Sequence, residues 1–144
     1  ATMTARIANA KYAVQPTLLL ENKQNFRKLN INPNHLKFVK NAMKNVVNNE
    51  QGTAHRSRIV SKKLMMAGKT GTVQVVRISE YEREKGIVKN IDRDWKKRDH
   101  ALFVGYAPIE DPKYAISVVV EHGGSGSGMA APIARDILTK LFEI

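Results

Sequence analysis

Apolar residues recur at spacings of three and four in three stretches of the chain, and this pattern predicts three helices. The first helix covers residues 1–10, and the third covers residues 130–142. The second has clear boundaries, because Asn32 suits the N-cap, Pro33 suits the first helical position and Gly52 follows the end. We expect the second helix to bury Leu36, Val39, Met43 and Val46. The third helix is expected to have one apolar face, formed by Ile133, Ile137, Leu138 and Leu141.

Three further stretches are rich in β-branched residues and predict strands. They are LMMAGKTGTVQVVRIS (64–79), HALFVGYAP (100–108) and KYAISVVVEH (113–122). The link between the last two contains Asp111-Pro112, a turn signal that predicts an antiparallel hairpin. An extended segment at 12–20 is interrupted by Pro16, which places it at a sheet edge or a bend. The predicted fold class is α+β, an antiparallel sheet covered by helices.

The composition is that of a folded domain, with 144 residues, 42% hydrophobic and 26% charged. The longest apolar run, at 115–120, is far shorter than the roughly 20 residues that cross a bilayer. The absence of cysteine excludes disulfides and thiolate metal sites. The histidines lack the spacing of metal ligands, so we predict no metal or cofactor and a surface or turn position for His35, His55, His100 and His122.

The net charge of +11 is concentrated between residues 23 and 63, where ten basic residues accompany one acid, Glu50. Only Phe26 and Phe38 are available there to stack on bases. A solvated basic face, or attraction to an anionic polymer or membrane surface, is therefore favoured over nucleic-acid binding. Residues 80–99 carry charges of both signs and predict a solvated loop or extension between the first two strands.

Two glycine-containing stretches resemble phosphate-binding loops only superficially. The sequence GKT at 68–70 would end a Walker motif, but Lys63 occupies the position that requires glycine. The sequence GSGMAA at 126–131 matches a dinucleotide-binding pattern, and we treat that match as chance. We interpret it as a tight turn into the last helix, with Pro132 in the first helical turn.

The stretch AGKTGT at 67–72 has a different chemical logic. Lys69 supplies a positive charge, and Thr70 and Thr72 supply hydroxyls. Gly71 leaves room for a ligand to lie against the strand. Such a set suits a carboxylate next to a carbonyl, because ammonium and hydroxyl groups both donate to carboxylate oxygens. Taken alone, the stretch fits an exposed strand with a solvated lysine better.

The surroundings of this stretch carry a resemblance to a known family. In chain order they read TARIAN, YAVQPTLL, VKNAMKNVVNNEQGTAHRS, MAGKTGTVQV, HALFVGYAP and YAISVVVEHGGSGSGMAAPIARDIL. Together they resemble the last part of the transpeptidase domain of class B penicillin-binding proteins, most closely those of the elongation type. The resemblance covers most of residues 1–144 except 80–99. It implies a partial penicillin-binding/β-lactamase-like fold with three strands of a five-stranded sheet, as the C-terminal segment of that domain.

The resemblance implies a peptidoglycan D,D-transpeptidase, whose serine attacks the peptide carbonyl of a D-alanyl-D-alanine stem and is acylated by β-lactams. It also implies roles for residues of AGKTGT. Lys69 would set the positive potential for the substrate carboxylate, and Thr70 and Thr72 would hydrogen-bond it. Gly71 would permit close approach. The backbone N–H of Thr72 would be one donor of the oxyanion hole.

The nucleophile motifs of that family are not found in this chain. No serine has a lysine three residues on or an asparagine two residues on, and the serines are Ser57, Ser61, Ser79, Ser117, Ser125 and Ser127. We therefore expect no catalytic residue here, and we expect the serine and its lysine base in sequence preceding Ala1. This chain alone is predicted to have no hydrolase or transferase activity.

The resemblance further implies partners and a location. The partners are the stem peptide, β-lactams, the missing N-terminal half of the same domain and the cell-elongation complex. The location is the periplasmic face of the bacterial inner membrane. We expect no nucleic-acid partner. The strand at 114–121 would lack one neighbouring strand, and its free edge predicts self-association.

Three alternatives stay open. They are a β-lactamase-type serine hydrolase, a basic module that binds nucleic acid or an anionic polymer, and a non-catalytic interaction domain of a cell-wall complex. The sequences GYAP and EHGGSGSGMAAP favour the cell-wall enzyme over the β-lactamase. A steep salt dependence in a DNA titration would distinguish the nucleic-acid module.

Overall fold

The computed structural model describes residues 1–19 and 25–143. Leu20, at the end of the predicted extended segment, and Lys23, in the basic stretch, lie outside these residues. The described helices and strands follow the order α1 (Thr2–Asn9), α2 (Pro33–Asn48), β1 (Ala67–Val73), α3 (Glu80–Lys85), β2 (His100–Ala107), β3 (Tyr114–Val120) and α4 (Ala131–Leu141). A one-turn π-helical segment (Gly126–Ala130) directly precedes α4, at the glycines where the sequence predicts a tight turn.

The three strands form one antiparallel sheet in the order β1-β2-β3. Lys69 pairs with Val104 and Thr70 pairs with Phe103, while Val104 pairs in turn with Ser117. The predicted hairpin of β2 and β3 and the predicted α+β fold class are therefore confirmed. Because β2 is central, β1 and β3 each keep one edge without a partner strand in the described part of the chain. Self-association through the β3 edge stays a prediction.

Helices cover both faces of the sheet. Phe103 on one face of β2 is buried in a cluster with Leu138 of α4. On the opposite face, Tyr106 is buried with Ala8 of α1 and Met43 of α2. This division follows from strand geometry, since successive side chains point to opposite faces. The core therefore lies in two layers, with the sheet between them.

Helix α2 begins where the sequence predicts. The Asn32 side chain accepts a hydrogen bond from the Asn34 N–H at 2.9 Å, and Pro33 is the first helical residue. Both features suit a first turn, because its N–H groups have no partners within the helix.

The buried face of α2 differs from the predicted one. Leu36 and Met43 are buried as expected, but Val39 is 39% exposed. Val46 is half-buried, and Val47 is fully buried instead. At 100° per residue, Val39 and Val46 are turned roughly 60–80° away from the line through the three buried side chains. The helix therefore contacts the core along a narrower line than predicted, and the prediction of Val39 as a core residue is wrong.

Helix α4 faces the sheet with small residues rather than with its isoleucines. Its buried residues are Ala131, Ala134 and Leu138, of which only the leucine was predicted. The other predicted residues are 36–44% exposed, and they are Ile133, Ile137 and Leu141. Alanine side chains let the helix approach β2 closely, so the bulkier side chains lie away from the buried line. The four residues share one face of α4 as predicted, but only Leu138 is fully buried.

The extended segment at 12–19 does not form a strand of the sheet. Tyr12 instead pairs with Lys28 in an isolated antiparallel bridge. The Ala13 N–H donates to the Arg27 carbonyl at 2.9 Å beside this bridge. Pro16 follows in a stretch without helix or strand. The prediction of a sheet edge is therefore wrong for the described part of this segment, whereas a bend agrees with it.

Two close approaches around β1 require glycine. Gly68 lies beside the Val104 carbonyl, and a Cβ atom at this position would be only 2.6 Å from that oxygen. Gly126, in the turn before α4, lies against the backbone of Gly71. A Cβ atom on Gly126 would be 2.5 Å from the Leu102 oxygen. Any side chain at position 126 would therefore push the turn away from β1 and β2.

Gly126→Ala is expected to destabilise the fold by about 1–3 kcal/mol, because overpacking against backbone atoms forces the turn to move. Gly128→Ala is the matched control, since a Cβ there would be an ordinary 3.5 Å from the Ser125 hydroxyl. Urea unfolding followed by circular dichroism gives both free energies. Equal midpoints for the two variants would contradict the role given to Gly126.

Tyr106 is fully buried in the layer between the sheet and helices α1 and α2. None of the described residues provides a hydrogen-bond partner for its hydroxyl. Burial, with a smaller contribution from the charge of Glu110, raises the pKa of Tyr106 to about 12. A tyrosine in the unfolded chain has a pKa of about 10. Below that pH the hydroxyl is neutral in both states, and the contribution of the buried Tyr106 to stability is complete. This contribution is lost as the pH rises from about 10 to about 12.

Tyr106→Phe is expected to remove this alkaline loss while keeping the buried ring. Between about pH 8 and about pH 11, the free energy of unfolding should fall about 1 kcal/mol further in the unaltered chain than in the variant. Urea unfolding of both proteins at the two pH values provides the comparison. An identical fall in both would mean that Tyr106 ionises as freely in the folded state as in the unfolded state.

Candidate functional site

The AGKTGT stretch lies within β1, at one edge of the sheet. Lys69 and Thr72 are exposed, and Thr70 and Gly71 are half-buried. Within the described residues β1 pairs with β2 only, so its other side is not covered by a strand. The predicted binding residues are therefore accessible along one open edge.

The Lys69 side chain bends toward the threonine face of the strand. Its Nζ donates to the Thr70 carbonyl at 2.8 Å and lies 3.5 Å from the Thr70 hydroxyl. Residues two apart on a strand share a face, so Thr70 and Thr72 point to the same side. The structure thus brings the Lys69 ammonium group close to the Thr70 hydroxyl. Thr72 lies on the same face of β1 as Thr70.

Thr53, which lies outside the predicted set, joins this cluster. Its Oγ1 atom lies 3.1 Å from the Oγ1 atom of Thr70, within hydrogen-bonding distance. The sequence analysis missed Thr53 because 17 residues separate the two threonines and no local pattern links them. The available signal is its place in VKNAMKNVVNNEQGTAHRS, one of the stretches that carry the family resemblance.

The end of α2 holds Thr53 beside β1. The Asn48 amide donates to the carbonyl of Met66, directly before β1, at 2.9 Å. After the helix, the Ala54 N–H donates to the Val46 carbonyl at 2.9 Å. The loop that contains Thr53 is therefore tied both to the helix that precedes it and, through that helix, to the strand.

The turn before α4 covers β1 at Gly71. Gly126 contacts the Gly71 backbone, and Ser125 caps the turn by accepting a hydrogen bond from the Gly128 N–H at 3.2 Å. The hydroxyls of Ser125 and Ser127 are 3.1 Å apart and exposed. The approach of this turn to β1 therefore depends on the missing side chain of Gly126.

Residues 80–99 connect β1 to β2 and are anchored beside the end of β1. Asp99 accepts hydrogen bonds from the Val75 N–H at 3.1 Å and from the Asn90 amide at 2.9 Å. Its own N–H donates to the Asn90 side-chain oxygen at 2.8 Å, and its carbonyl accepts from the Gly124 N–H at 2.8 Å. This connection is thus joined to both the strand and the turn before α4.

Helix α3 within this connection has a capping box. The Ser79 hydroxyl accepts from the Glu82 N–H, and the Glu82 carboxylate accepts from the Ser79 N–H, each at 3.2 Å. Arg93 donates to the same carboxylate at 2.7 Å. The hydrogen bond from Ser79, followed by the charge of Arg93, holds the pKa of Glu82 below its usual value. The connection therefore contains ordered structure rather than only solvated charges.

His100 and His122 contact each other at the end of the sheet. Their ring centroids are 4.7 Å apart, and the backbone N–H of His122 donates to the Nδ1 atom of His100 at 2.9 Å. Trp95 lies edge-on to His122 at 4.7 Å. Among the residues that the structure describes, no three His, Cys, Asp or Glu side chains form a group that could hold a metal ion.

The basic residues of α2 lie on or near the surface. Lys37 and Phe38 are exposed, while Lys40 donates to the Ala8 carbonyl at 3.1 Å and so joins α2 to α1. In residues 1–19 and 25–143, no helix has both the length and the apolar character that crossing a membrane requires.

Comparison with known protein families identifies the family of this chain. The family described as penicillin binding protein transpeptidase domain matches residues 1–139, and the chain belongs to it. The resemblance identified from the sequence is therefore confirmed. The relatives below narrow the match to the elongation type, penicillin-binding protein 2 or MrdA.

The curated relatives are peptidoglycan D,D-transpeptidases named MrdA. The Haemophilus influenzae relative is 39% identical over 101 residues, which are 69% of this chain and 14% of that protein. The relative from Escherichia coli K12 is 30% identical over 110 residues, which are 75% of this chain and 16% of that protein. The matches thus span only a small part of these relatives.

Solved structures show the same architecture. Helicobacter pylori PBP2, in a complex with MreC, is similar with a TM-score of 0.79 and 32% identity, over 99% of this chain and 24% of that chain. Pseudomonas aeruginosa PBP2, in complex with WCK 5153, gives a TM-score of 0.64 and 30% identity, over 94% of this chain and 27% of that chain. The partial penicillin-binding fold predicted from the sequence is therefore confirmed.

Asn90→Ala is expected to loosen residues 80–99, because the variant loses the side chain that bonds to Asp99 and to the Gly124 carbonyl. A loss of about 1–3 kcal/mol in local stability should raise amide hydrogen exchange in this segment about fivefold or more. Asp94→Ala is the control, since it removes only an exposed ion pair with Lys97 and should change local stability by less than about 1 kcal/mol. Equal exchange in the two variants would contradict the anchoring role of Asn90.

Proposed function

We propose that this chain provides the substrate-binding strand of a serine-type peptidoglycan D,D-transpeptidase, which cross-links stem peptides and is acylated by β-lactams. One observation carries the proposal: the Lys69 ammonium lies beside the Thr70 hydroxyl, on the face shared with Thr72, at an accessible edge strand. The match of the transpeptidase family to residues 1–139 and the MrdA relatives support it.

Three groups on β1 would bind the carboxylate of a D-alanyl-D-alanine stem or of a β-lactam. The Lys69 ammonium attracts the anion, and the hydroxyls of Thr70 and Thr72 donate hydrogen bonds to it. Charge-assisted hydrogen bonds of this kind are roughly twice as strong as neutral ones. Because the two hydroxyls share one face and the ammonium group bends toward it, the three groups would hold the carboxylate in a single orientation relative to the strand.

The carboxylate contacts would place the reacting carbonyl beside the backbone of β1. The Thr72 N–H is then one of two donors to the oxygen that becomes negative during attack. Such donors contribute most when they are already in position before the reaction. Gly71 keeps the strand narrow at this point, so that a peptide can approach the backbone.

The attacking serine is proposed to come from another segment of a longer protein, because no serine of this chain has the S-x-x-K or S-x-N pattern. Its oxygen, deprotonated by a lysine, bonds to the carbonyl carbon of the penultimate D-alanine. The amide C–N bond breaks, and the terminal D-alanine leaves with the proton. An amine of a neighbouring stem then attacks the ester, forms the cross-link and releases the serine.

The exposed surfaces of the chain fit a larger domain. The free edge of β3 and the exposed Ile133 and Ile137 of α4 are where the rest of the transpeptidase domain would pack. The Helicobacter pylori relative forms a complex with MreC. We propose that the longer protein belongs to a cell-elongation complex and, by analogy with the family, lies at the periplasmic face of the inner membrane.

The experiment compares this chain with a chimera, in which the chain replaces the matching segment of the Haemophilus influenzae relative. Both are incubated with benzylpenicillin, and their intact masses are measured. The chimera is expected to gain one acyl adduct, and the chain alone is expected to gain none. Lys69→Ala in the chimera should slow acylation by about 100-fold, because it removes the charge that attracts the carboxylate.

Lys113→Ala is the matched control, since Lys113 is also an exposed lysine but lies in the turn between β2 and β3, paired with Asp111. It should leave the acylation rate unchanged. Acylation of the chain alone would overturn its predicted inactivity. If the chimera has the circular dichroism spectrum of the folded Haemophilus influenzae protein but does not react while that protein does, the binding role of β1 is wrong, and binding to an anionic polymer becomes the better interpretation.

A further inference from the structure

A third hydroxyl, that of Thr53, contacts the proposed carboxylate-binding residues from outside β1. The Oγ1 atoms of Thr53 and Thr70 are 3.1 Å apart. The Lys69 Nζ atom lies 3.5 Å from the same Thr70 oxygen. Thr70 thus has two polar neighbours of this chain on its hydroxyl before any ligand binds.

The hydrogens of this cluster can be assigned by counting donors. A threonine hydroxyl has one hydrogen to donate and two lone pairs that accept, whereas an ammonium group can only donate. Thr70 therefore accepts from Lys69. If Thr70 donated its hydrogen to Thr53, it would present no hydrogen to a carboxylate, and its oxygen would face another negative oxygen. If Thr53 donates instead, the Thr70 hydrogen stays free for the ligand.

The backbone on both sides of Thr53 is held in place. The Gly52 N–H donates to the Asn49 carbonyl at 2.8 Å, and the Ala54 N–H donates to the Val46 carbonyl at 2.9 Å. Ala54, the next residue, is 1% exposed. A donor on a fixed backbone needs no rearrangement when the ligand arrives, which is the condition for effective preorganisation.

We infer that Thr53 is a positioning residue, which donates to Thr70 and thereby directs the Thr70 hydrogen toward the ligand carboxylate. The inference rests on the proposed function, since it assumes that β1 binds a carboxylate. Thr53 acts on recognition of the ligand and not on the reacting atoms. It therefore strengthens binding of acidic ligands and favours them over neutral analogues of the same shape.

The test uses the chimera defined above and two substitutions. Thr53→Val keeps the branched shape without the hydroxyl, and Thr53→Ser keeps the hydroxyl. The rate of acylation by benzylpenicillin is measured against concentration, which separates the half-saturating concentration from the limiting rate. Thr53→Val should raise the half-saturating concentration about 5-fold, as expected for one lost hydrogen bond. Its limiting rate should stay within about 2-fold, and Thr53→Ser should restore the binding.

A neutral ligand separates positioning from damage to the loop. The carboxamide of benzylpenicillin lacks the negative charge, so its bond to Thr70 is weaker and depends less on the direction of the hydrogen. Thr53→Val should therefore change its half-saturating concentration by less than about 2-fold. A loop disturbed by the substitution would weaken the acidic and neutral ligands equally.

The outcomes for the inference and for the proposed function are distinct. If the unaltered chimera is not acylated, the proposed function fails and the inference fails with it. If the chimera is acylated but Thr53→Val binds benzylpenicillin normally, only the inference is overturned. The same holds if Thr53→Val weakens both ligands equally, or if Thr53→Ser does not restore binding.

Discussion

The antiparallel register of β1 and β2 is the constraint on which the site depends. It places Thr70 opposite Phe103 and Gly68 opposite Gly105, and opposed residues of an antiparallel pair share a face. The two glycines leave space for the phenylalanine ring, so this face can be packed in one alignment only. A shift of one residue would reverse the faces of β1. The hydroxyl of Thr70 would then point away from Thr53, and the cluster with Lys69 would be lost.

Local signals in the sequence were sufficient for α1, α2, α4 and the three strands, but not for α3 or for the packing of the elements. Asn32 and Pro33 mark the start of α2, and the Asp111-Pro112 turn marks the hairpin, because each acts on its immediate neighbours. The faces of α2 and α4 were less predictable. Periodicity identifies apolar residues, but it does not show that a helix will approach the sheet through alanines and leave Ile137 exposed. The outcome depends on the shape of the opposing surface.

The residues of the candidate site also differ in how far the sequence could predict them. Lys69, Thr70, Gly71 and Thr72 were selected from one contiguous stretch through the family resemblance, because the three letters of the motif alone have little information. Thr53 could not be identified in this way, because its hydroxyl comes within hydrogen-bonding distance of Thr70 only after α2 and β1 have packed against each other. The residues proposed to bind are thus readable as a motif, whereas Thr53, proposed to orient the Thr70 hydroxyl, depends on the tertiary structure.

The contact of Gly126 with Gly71 also has a consequence for how the protein folds. The two glycines are far apart in sequence, with the charged connection and two strands between them. During synthesis, β1 leaves the ribosome long before the turn that must lie on it. Contacts between such distant residues form slowly, because a long loop has to close first. The strand that carries the proposed binding motif therefore reaches its final packing only after the residues up to Gly126 have been made.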